Sequence, residues 1–171
     1  MTADVQAPFI QRLQLNNILS FGPDGVDVDL LPLNVLIGPN GSGKSNFIEA
    51  ISLMRAAPRD YRDVLRRGGG VREWLWKGAP EERGHMAWVV ANPEGSELLR
   101  HSLGFQVVGQ NFSLLQERVQ TKQIGDHQES LVMLYQFNQG KPIIRTQGRS
   151  GDIDRVLDPG SLDLDQIGRA H

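Results

Sequence analysis

The sequence contains no cysteine, almost no net charge and no long apolar run, and each of these absences argues against a class of protein. Without cysteine among its 171 residues, the chain forms no disulfides, thiolate metal sites or cysteine nucleophile. The formal net charge is -2, so no overall basic field points to a nucleic acid partner. The longest apolar stretch, residues 30–37, is far shorter than the roughly 20 residues that cross a membrane. We therefore expect a cytoplasmic protein with no membrane span and no signal peptide.

Patterns of apolar residues predict a strand-rich chain with one well-defined helix. Alternation of apolar and polar residues predicts strands over residues 9–15 and 26–30, and a short apolar run predicts a buried strand over 33–37. Helical spacing predicts a helix over 46–57 and a further helical turn over 61–67. Five more strands, joined by short turns, are expected at 86–92, 98–108, 112–122, 131–137 and 142–146. This order predicts an antiparallel meander, followed by a loop over 147–165.

Glycine is abundant, with 19 residues, and its clearest cluster forms a phosphate-binding motif. The motif is Gly38-Pro39-Asn40-Gly41-Ser42-Gly43-Lys44-Ser45, two glycines four residues apart and then Lys and Ser. Its glycines allow successive amides to point at one anion, and a helix that begins near Gly43 adds its free amides there. We expect Lys44 to reach the β- and γ-phosphates of a nucleotide and Ser45 to bind Mg²⁺. The candidate phosphate-binding residues are Gly38, Asn40, Gly41, Ser42, Gly43, Lys44, Ser45 and Asn46.

The motif and its flanks resemble those of a known family. The stretch LNVLIGPNGSGKSNFIEAI, preceded by Ile18-Leu19-Ser20-Phe21, is similar to ATPase heads of the SMC-like and RecF-like branch of the ABC superfamily. The later stretch RGGGVREWLWKG resembles bacterial AAA-family ATPases of this RecF-like type, with an AAA-type core. The resemblance implies an α/β P-loop NTPase fold: the N-terminal lobe of an ABC/SMC-type head, with an antiparallel β-meander subdomain. Leu19 stands where family members usually carry an arginine, so a phosphate contact from that position is not expected.

The resemblance also implies a function. A complete member would bind ATP and Mg²⁺, form a head-to-head homodimer and hydrolyse ATP in DNA repair or another chromosome-associated process. Two alternatives stay open: a subunit of a transporter-type ABC ATPase, and a nucleotide-sensing module that does not hydrolyse ATP. Hydrolysis needs four apolar residues followed by Asp-Glu. Residues 131–134 are apolar, but Tyr135 and Gln136 follow them, so no catalytic residue is identified.

These observations divide the chain into four predicted parts. They are a flexible tail (1–8), a P-loop nucleotide-binding core (9–84), an antiparallel β subdomain (85–147) and a loop with a truncated C-terminus (148–171). The codons CAG ATC GGA AGA GCA CAC would encode the last six residues, and they contain a common sequencing-adapter sequence. We therefore expect the residues from Ile167 to His171 not to be native.

Other charged and aromatic residues are weaker candidates. Between positions 55 and 83 the sequence contains eight Arg or Lys residues and five Asp or Glu residues, a local surplus of positive charge. Among them Arg62, Arg66 and Arg67 are candidates for contact with DNA or a partner, although a solvated charged face is the favoured interpretation. Trp74 and Trp76 would share one face of a strand, where core packing is the favoured role. The histidines at 85, 101 and 127 have no metal-ligand spacing.

Overall fold

The computed structural model describes residues 8–57, 61–78, 81–93, 95–124, 129–138, 141–147 and 153–157. Two helices and a 3₁₀ turn interrupt the series of strands: α1 Lys44–Ala56, α2 Tyr61–Arg67 and the 3₁₀ turn Val71–Trp74. The strands are β1 Ile10–Asn16, β2 Val26–Asp29, β3 Arg83–Ala91, β4 Leu98–Val108, β5 Asn111–Ile124, β6 Glu129–Asn138, β7 Lys141–Gln147 and β8 Ile153–Leu157. In the described part of the chain, no helix is long and apolar enough to cross a membrane.

All eight strands form one antiparallel sheet in the order β2-β1-β3-β4-β5-β6-β7-β8. The expected meander is therefore confirmed. It is also longer than expected, because β1 pairs directly with β3 and the same sheet continues on both sides of residue 84. Residues 153–157 form a strand against β7, so the prediction of a loop throughout 147–165 is wrong there. The five residues of this strand, IDRVL, do not alternate between apolar and polar, so their pattern does not distinguish a strand from a loop.

The core lies between one face of the sheet and the helices. Register places Leu13 opposite Trp88 and Leu15 opposite Met86, and Met86 in turn faces Leu103, so these side chains lie on the same face. That face packs against the apolar side of α1 and α2, and one cluster contains both. The buried side chains of α1 and α2 are Phe47, Ala50, Leu53, Met54, Ala56, Tyr61 and Leu65. The structure is thus two layers, a sheet covered on one face by helices.

The predicted buried strand at residues 33–37 is not present. The segment has no regular secondary structure, and no strand pairs with it among the described residues. Its side chains are open to solvent: Leu33 is 80%, Val35 73% and Ile37 91% exposed. A strand exists only where a neighbouring backbone completes its hydrogen bonds, and an apolar run cannot supply that neighbour. The prediction was therefore wrong about both the strand and its burial.

The two tryptophans also differ from their predicted placement on a strand. Trp74 ends the 3₁₀ turn and is only 1% exposed, so its predicted role in the core is confirmed. Trp76 follows that turn and is half-buried, with its ring against Gly22 and Gly78. The backbone N–H of Leu19 donates to Trp74 O at 2.9 Å, and the N–H of Trp76 donates to Asn17 O at 3.1 Å. These bonds attach the 3₁₀ turn to the chain just after β1.

Candidate functional site

The glycine-rich loop leads directly into α1, and two of its glycines have positive φ angles. Gly41 (φ 80°) and Gly43 (φ 90°) adopt left-handed conformations that other residues rarely tolerate. The ammonium of Lys44 lies over the loop, where Nζ donates to Gly38 O at 2.8 Å and to Pro39 O at 2.7 Å. The loop therefore curves around its own lysine, whose charge is held at the centre of the turn.

The first turn of α1, which follows the loop directly, has free backbone amides. No side chain caps the helix, and no acidic residue lies in its first turn. Because the first amides of a helix have no partner within it, they remain available to an anion, and the helix dipole adds to the attraction. Ser45 is exposed and Asn46 is half-buried in this turn. The exposed hydroxyl of Ser45, a hard oxygen ligand, suits Mg²⁺ beside a bound phosphate.

Packing of α1 on the sheet determines where the loop lies. Phe47 is buried and contacts Phe21 edge to face, with ring centroids 6.4 Å apart. Gly43 lies against Ser20: a Cβ at Gly43 would lie 2.6 Å from Ser20 Oγ, so the serine side chain would have to move. Ser20 and Phe21, in the segment before β2, therefore pack against the end of the loop and the first turn of α1. Ser20 and Phe21 had been identified from the sequence only as part of a resemblance, whereas in the structure both lie next to Gly43.

The structure brings the eight predicted phosphate-binding residues together in this one loop and the start of α1. The three candidate arginines lie elsewhere, on α2, and all three are exposed. Arg66 donates to Asp63 at 2.7 Å on the same helix, an exposed ion pair of small energetic weight. Arg62 and Arg66 also line a cavity of about 490 Å³ between α2 and the β4–β5 turn, which Arg67 does not line.

A buried polar cluster joins α2 to the sheet, and sequence analysis missed it. The hydroxyl of Tyr61 donates to Glu117 Oε1 at 2.5 Å, and His101 Nε2 donates to the same oxygen at 2.7 Å. Burial alone would raise the pKa of Glu117, but the hydrogen bonds from His101 and Tyr61 outweigh it, so the pKa is lowered. Burial, and then the hydrogen bond to Glu117, raises the pKa of Tyr61. The cluster has no local sequence signature because its members come from α2, β4 and β5.

Two of the histidines, His85 and His101, lie in the described part of the sheet. His85 pairs with Gly104 and His101 pairs with Trp88, on adjacent strands, and their different parity places them on opposite faces of the sheet. The ring of His101 instead packs on Trp88, with centroids 4.3 Å apart. In the described ranges, no group of three His, Asp or Glu side chains could hold a metal ion. His127 and the residues from Ile167 to His171 lie outside those ranges.

Comparison with known proteins supports the interpretation of the loop. Residues 33–86 match the family model described as "AAA domain, putative AbiEii toxin, Type IV TA system". The matched segment is about a third of the chain and contains the glycine-rich loop, α1 and α2. No curated protein matches the sequence. One similar solved chain comes from a structural study of ATP-driven dimerization and DNA-stimulated activation of SMC ATPases. It is 19% identical with a TM-score of 0.43, covering 62% of this chain and 72% of that one.

The family match agrees with the geometry of the loop. The matched segment contains the glycine-rich motif, and in the structure this motif leads into the first turn of α1, where free helix amides can bind a phosphate. These two observations support a P-loop ATPase domain that binds ATP.

Proposed function

We propose that this chain binds Mg²⁺-ATP through Gly38–Ser45 and belongs to an ATPase head of the SMC-like and RecF-like type. The observation that carries the proposal is the position of Lys44 Nζ, which lies within 2.8 Å of two loop carbonyls above the free amides of α1. Phosphate oxygens would replace these carbonyls as partners of the ammonium. Ser45 would then hold Mg²⁺, which offsets the negative charge on the β- and γ-phosphates when it is bound.

Residues 33–37 are the second support for a head-type ATPase. Together with α1 this exposed segment borders an apolar groove of about 660 Å³, lined by residues such as Leu30, Val35, Leu36, Phe47 and Ile48. Leu33, Val35 and Ile37 are each more than 70% exposed, and such a run of exposed apolar side chains typically marks a surface that a partner or another segment covers. We propose that further strands of a complete head pair with residues 33–37. Such a head would form a cytoplasmic homodimer around two nucleotides and act in DNA repair or another chromosome-associated process.

The arginines of α2 extend this proposal to a partner. Arg62, Arg66 and Arg67 add three positive charges to one short exposed helix, which carries a single acidic residue, Asp63. We propose that this face contacts DNA or another polyanion, because clustered guanidinium groups bind phosphates well.

Calorimetric titration with ATP tests the nucleotide site. Lys44→Ala should remove most of the affinity, because no other ammonium hydrogen-bonds to this loop among the described residues. The matched control is Lys77→Ala, which removes an exposed lysine that pairs with Glu73 outside the loop and should bind ATP as the wild type does. Ser45→Ala should weaken binding in Mg²⁺ more than binding in chelator. Equal affinity of the wild type and Lys44→Ala would overturn the proposal.

A measurement of phosphate release tests the expected lack of turnover. The apolar run 131–134 lies within β6, between β5 and β7, and is followed by Tyr135 and Gln136 rather than by two carboxylates. Loss of one positioned catalytic group commonly lowers the rate by about 10² to 10³. We therefore expect this chain to release phosphate no faster than its Lys44→Ala variant. If the wild type releases phosphate at about 1 s⁻¹ and Lys44→Ala does not, the chain contains a catalytic carboxylate and the expectation is wrong.

A further inference from the structure

The cavity between α2 and the β4–β5 turn combines an apolar floor with a cationic rim. Leu65 and Val71, which are 3% and 5% exposed, and the ring of Phe112 form the floor. Arg62 and Arg66 stand on one side of the rim, and Gln110 and Asn111 stand on the other. The volume, about 490 Å³, is within the range of small-molecule sites, roughly 300–1,000 Å³.

The walls of the cavity are fixed by contacts outside it. Arg72 donates to Gly109 O at 2.9 Å and pairs with Glu82, so the 3₁₀ turn and the β4–β5 turn are tied together. On the other side, the hydrogen bond of Tyr61 to Glu117 anchors the start of α2. Because each wall is held by its own bonds, a ligand would meet a largely preformed site, which lowers the ordering cost of binding.

Gly70 keeps one wall of the cavity open. Its backbone has φ 101°, a conformation that favours glycine, and a Cβ there would have no atom within 4 Å. The neighbouring Gly69 also has a positive φ, of 89°. The Gly68-Gly69-Gly70 run therefore ends α2 and leaves space beside Leu65 and Val71 rather than filling it.

We propose that this cavity binds one nucleotide unit, free or within a single strand of nucleic acid. The phosphate would lie at Arg62 and Arg66, since guanidinium groups bind phosphate oxygens in pairs and the described lining of the cavity contains no carboxylate. Arg66 would exchange its exposed pair with Asp63 for the phosphate. The flat base would lie over the apolar floor and Phe112, as bases do on aromatic side chains. The amides of Gln110 and Asn111 can hydrogen-bond to base edges. This proposal rests on the polyanion contact proposed for α2 and names its ligand, and it is independent of the P-loop.

Fluorescence anisotropy with a labelled 12-nucleotide oligo-dT, at low salt, tests the proposal. The whole chain carries Lys44→Ala in every sample, so that the P-loop does not contribute to binding. Arg66→Gln should weaken binding by about tenfold, the loss of one charge-assisted hydrogen bond. The matched control is Arg67→Gln, which removes the same charge from the same helix but does not line the cavity, and it should change affinity by less than about twofold. Gln110→Glu, a surface change in the turn, should also weaken binding.

Competitors identify the source of the ligand and separate this proposal from the broader one. Competition by dTMP alone at similar affinity would assign a free nucleotide, and much tighter binding of the oligomer would assign a single strand; both support the proposal. If Arg66→Gln and Arg67→Gln lose equal affinity, or if a DNA duplex binds better than a single strand, the proposal that the cavity binds a nucleotide is wrong. The broader proposal that the charged face of α2 contacts a polyanion would still stand. Absence of binding to every nucleic acid probe, or displacement only by poly-glutamate, would overturn both.

Discussion

Replacing Tyr61 with Phe tests whether the buried carboxylate of Glu117 holds α2 on the sheet. The change removes one hydroxyl, which donates to Glu117 Oε1 at 2.5 Å, and keeps the ring that packs 6.1 Å from Phe112. A hydrogen bond to a charged group contributes about 1.5–3 kcal/mol. His101 still donates to the same oxygen in the variant, so Glu117 is not left unpaired. We therefore expect a loss of about 1.5–2 kcal/mol, or roughly 3–8 °C in Tm for a domain of this size.

The loss should depend on pH in a defined direction. The pKa of Glu117 in the folded chain lies below its ordinary value of 4.5, because the bonds from His101 and Tyr61 outweigh the effect of burial. The ionised carboxylate therefore stabilises the fold fully above about pH 4.5, and this contribution is lost as the pH falls through the lower folded value. The difference between the wild type and Tyr61→Phe should be largest near pH 7 and should narrow below about pH 4.

Urea unfolding followed by circular dichroism measures both effects. The control is Arg12→Gln, which breaks an exposed ion pair with Asp27 and should change the unfolding free energy little, because solvent screens such a pair. Arg12, and then Gln14, lowers the pKa of Asp27 to about 2 through hydrogen bonds, so this control pair stays ionised across the same pH range. A Tyr61→Phe variant as stable as the wild type at pH 7, or a difference unchanged from pH 7 to 3, would refute the role given to Glu117.

Three further predictions concern the loop, the core and the exposed segment. Gly41→Ala should cost about 1 kcal/mol of backbone strain, whereas Gly43→Ala should cost more and also weaken ATP binding, because its Cβ would in addition displace the Ser20 hydroxyl beside the loop; equal unfolding midpoints would contradict this difference. Trp74→Ala should cost about 3–5 kcal/mol in urea unfolding, since the ring is buried in the core. Leu33→Ser should leave the unfolding free energy within about 0.5 kcal/mol and reduce aggregation in light scattering; a large destabilisation would show that Leu33 is buried.

The elements whose residues interact locally could be predicted from the sequence. The glycine-rich motif indicated both the loop and the start of α1, because its backbone conformation depends on glycines a few positions apart, such as Gly41 and Gly43. Helical spacing likewise indicated α2, and Gly68-Gly69-Gly70 indicated its end. The antiparallel meander followed from short turns between alternating strands, since such turns can join only antiparallel neighbours.

The buried cluster could not be predicted, because a bulge changes the parity of β5. Phe105 pairs with Leu114 and Gly104 pairs with Gln116, so Leu115 is an extra residue in the strand. Beyond it Glu117, rather than Gln116, lies opposite Leu103 on the core face. Simple alternation from Leu114 would have placed Glu117 in solvent. Only the pairing of the strands shows that this carboxylate is buried and within reach of α2.

Residues 33–37 show the same division between sequence and tertiary structure. By itself the sequence determined that an apolar run precedes a phosphate-binding loop and that a helix follows it, because those features depend on side-chain types at fixed spacing. Tertiary structure alone decided whether that run becomes a buried strand, since its hydrogen bonds and its cover must come from other segments. In the described residues that cover is missing, and Ile37 remains 91% exposed beside the loop. Likewise, only folding brought α2 and the β4–β5 turn together around a cavity, because the two are more than 40 residues apart in the chain.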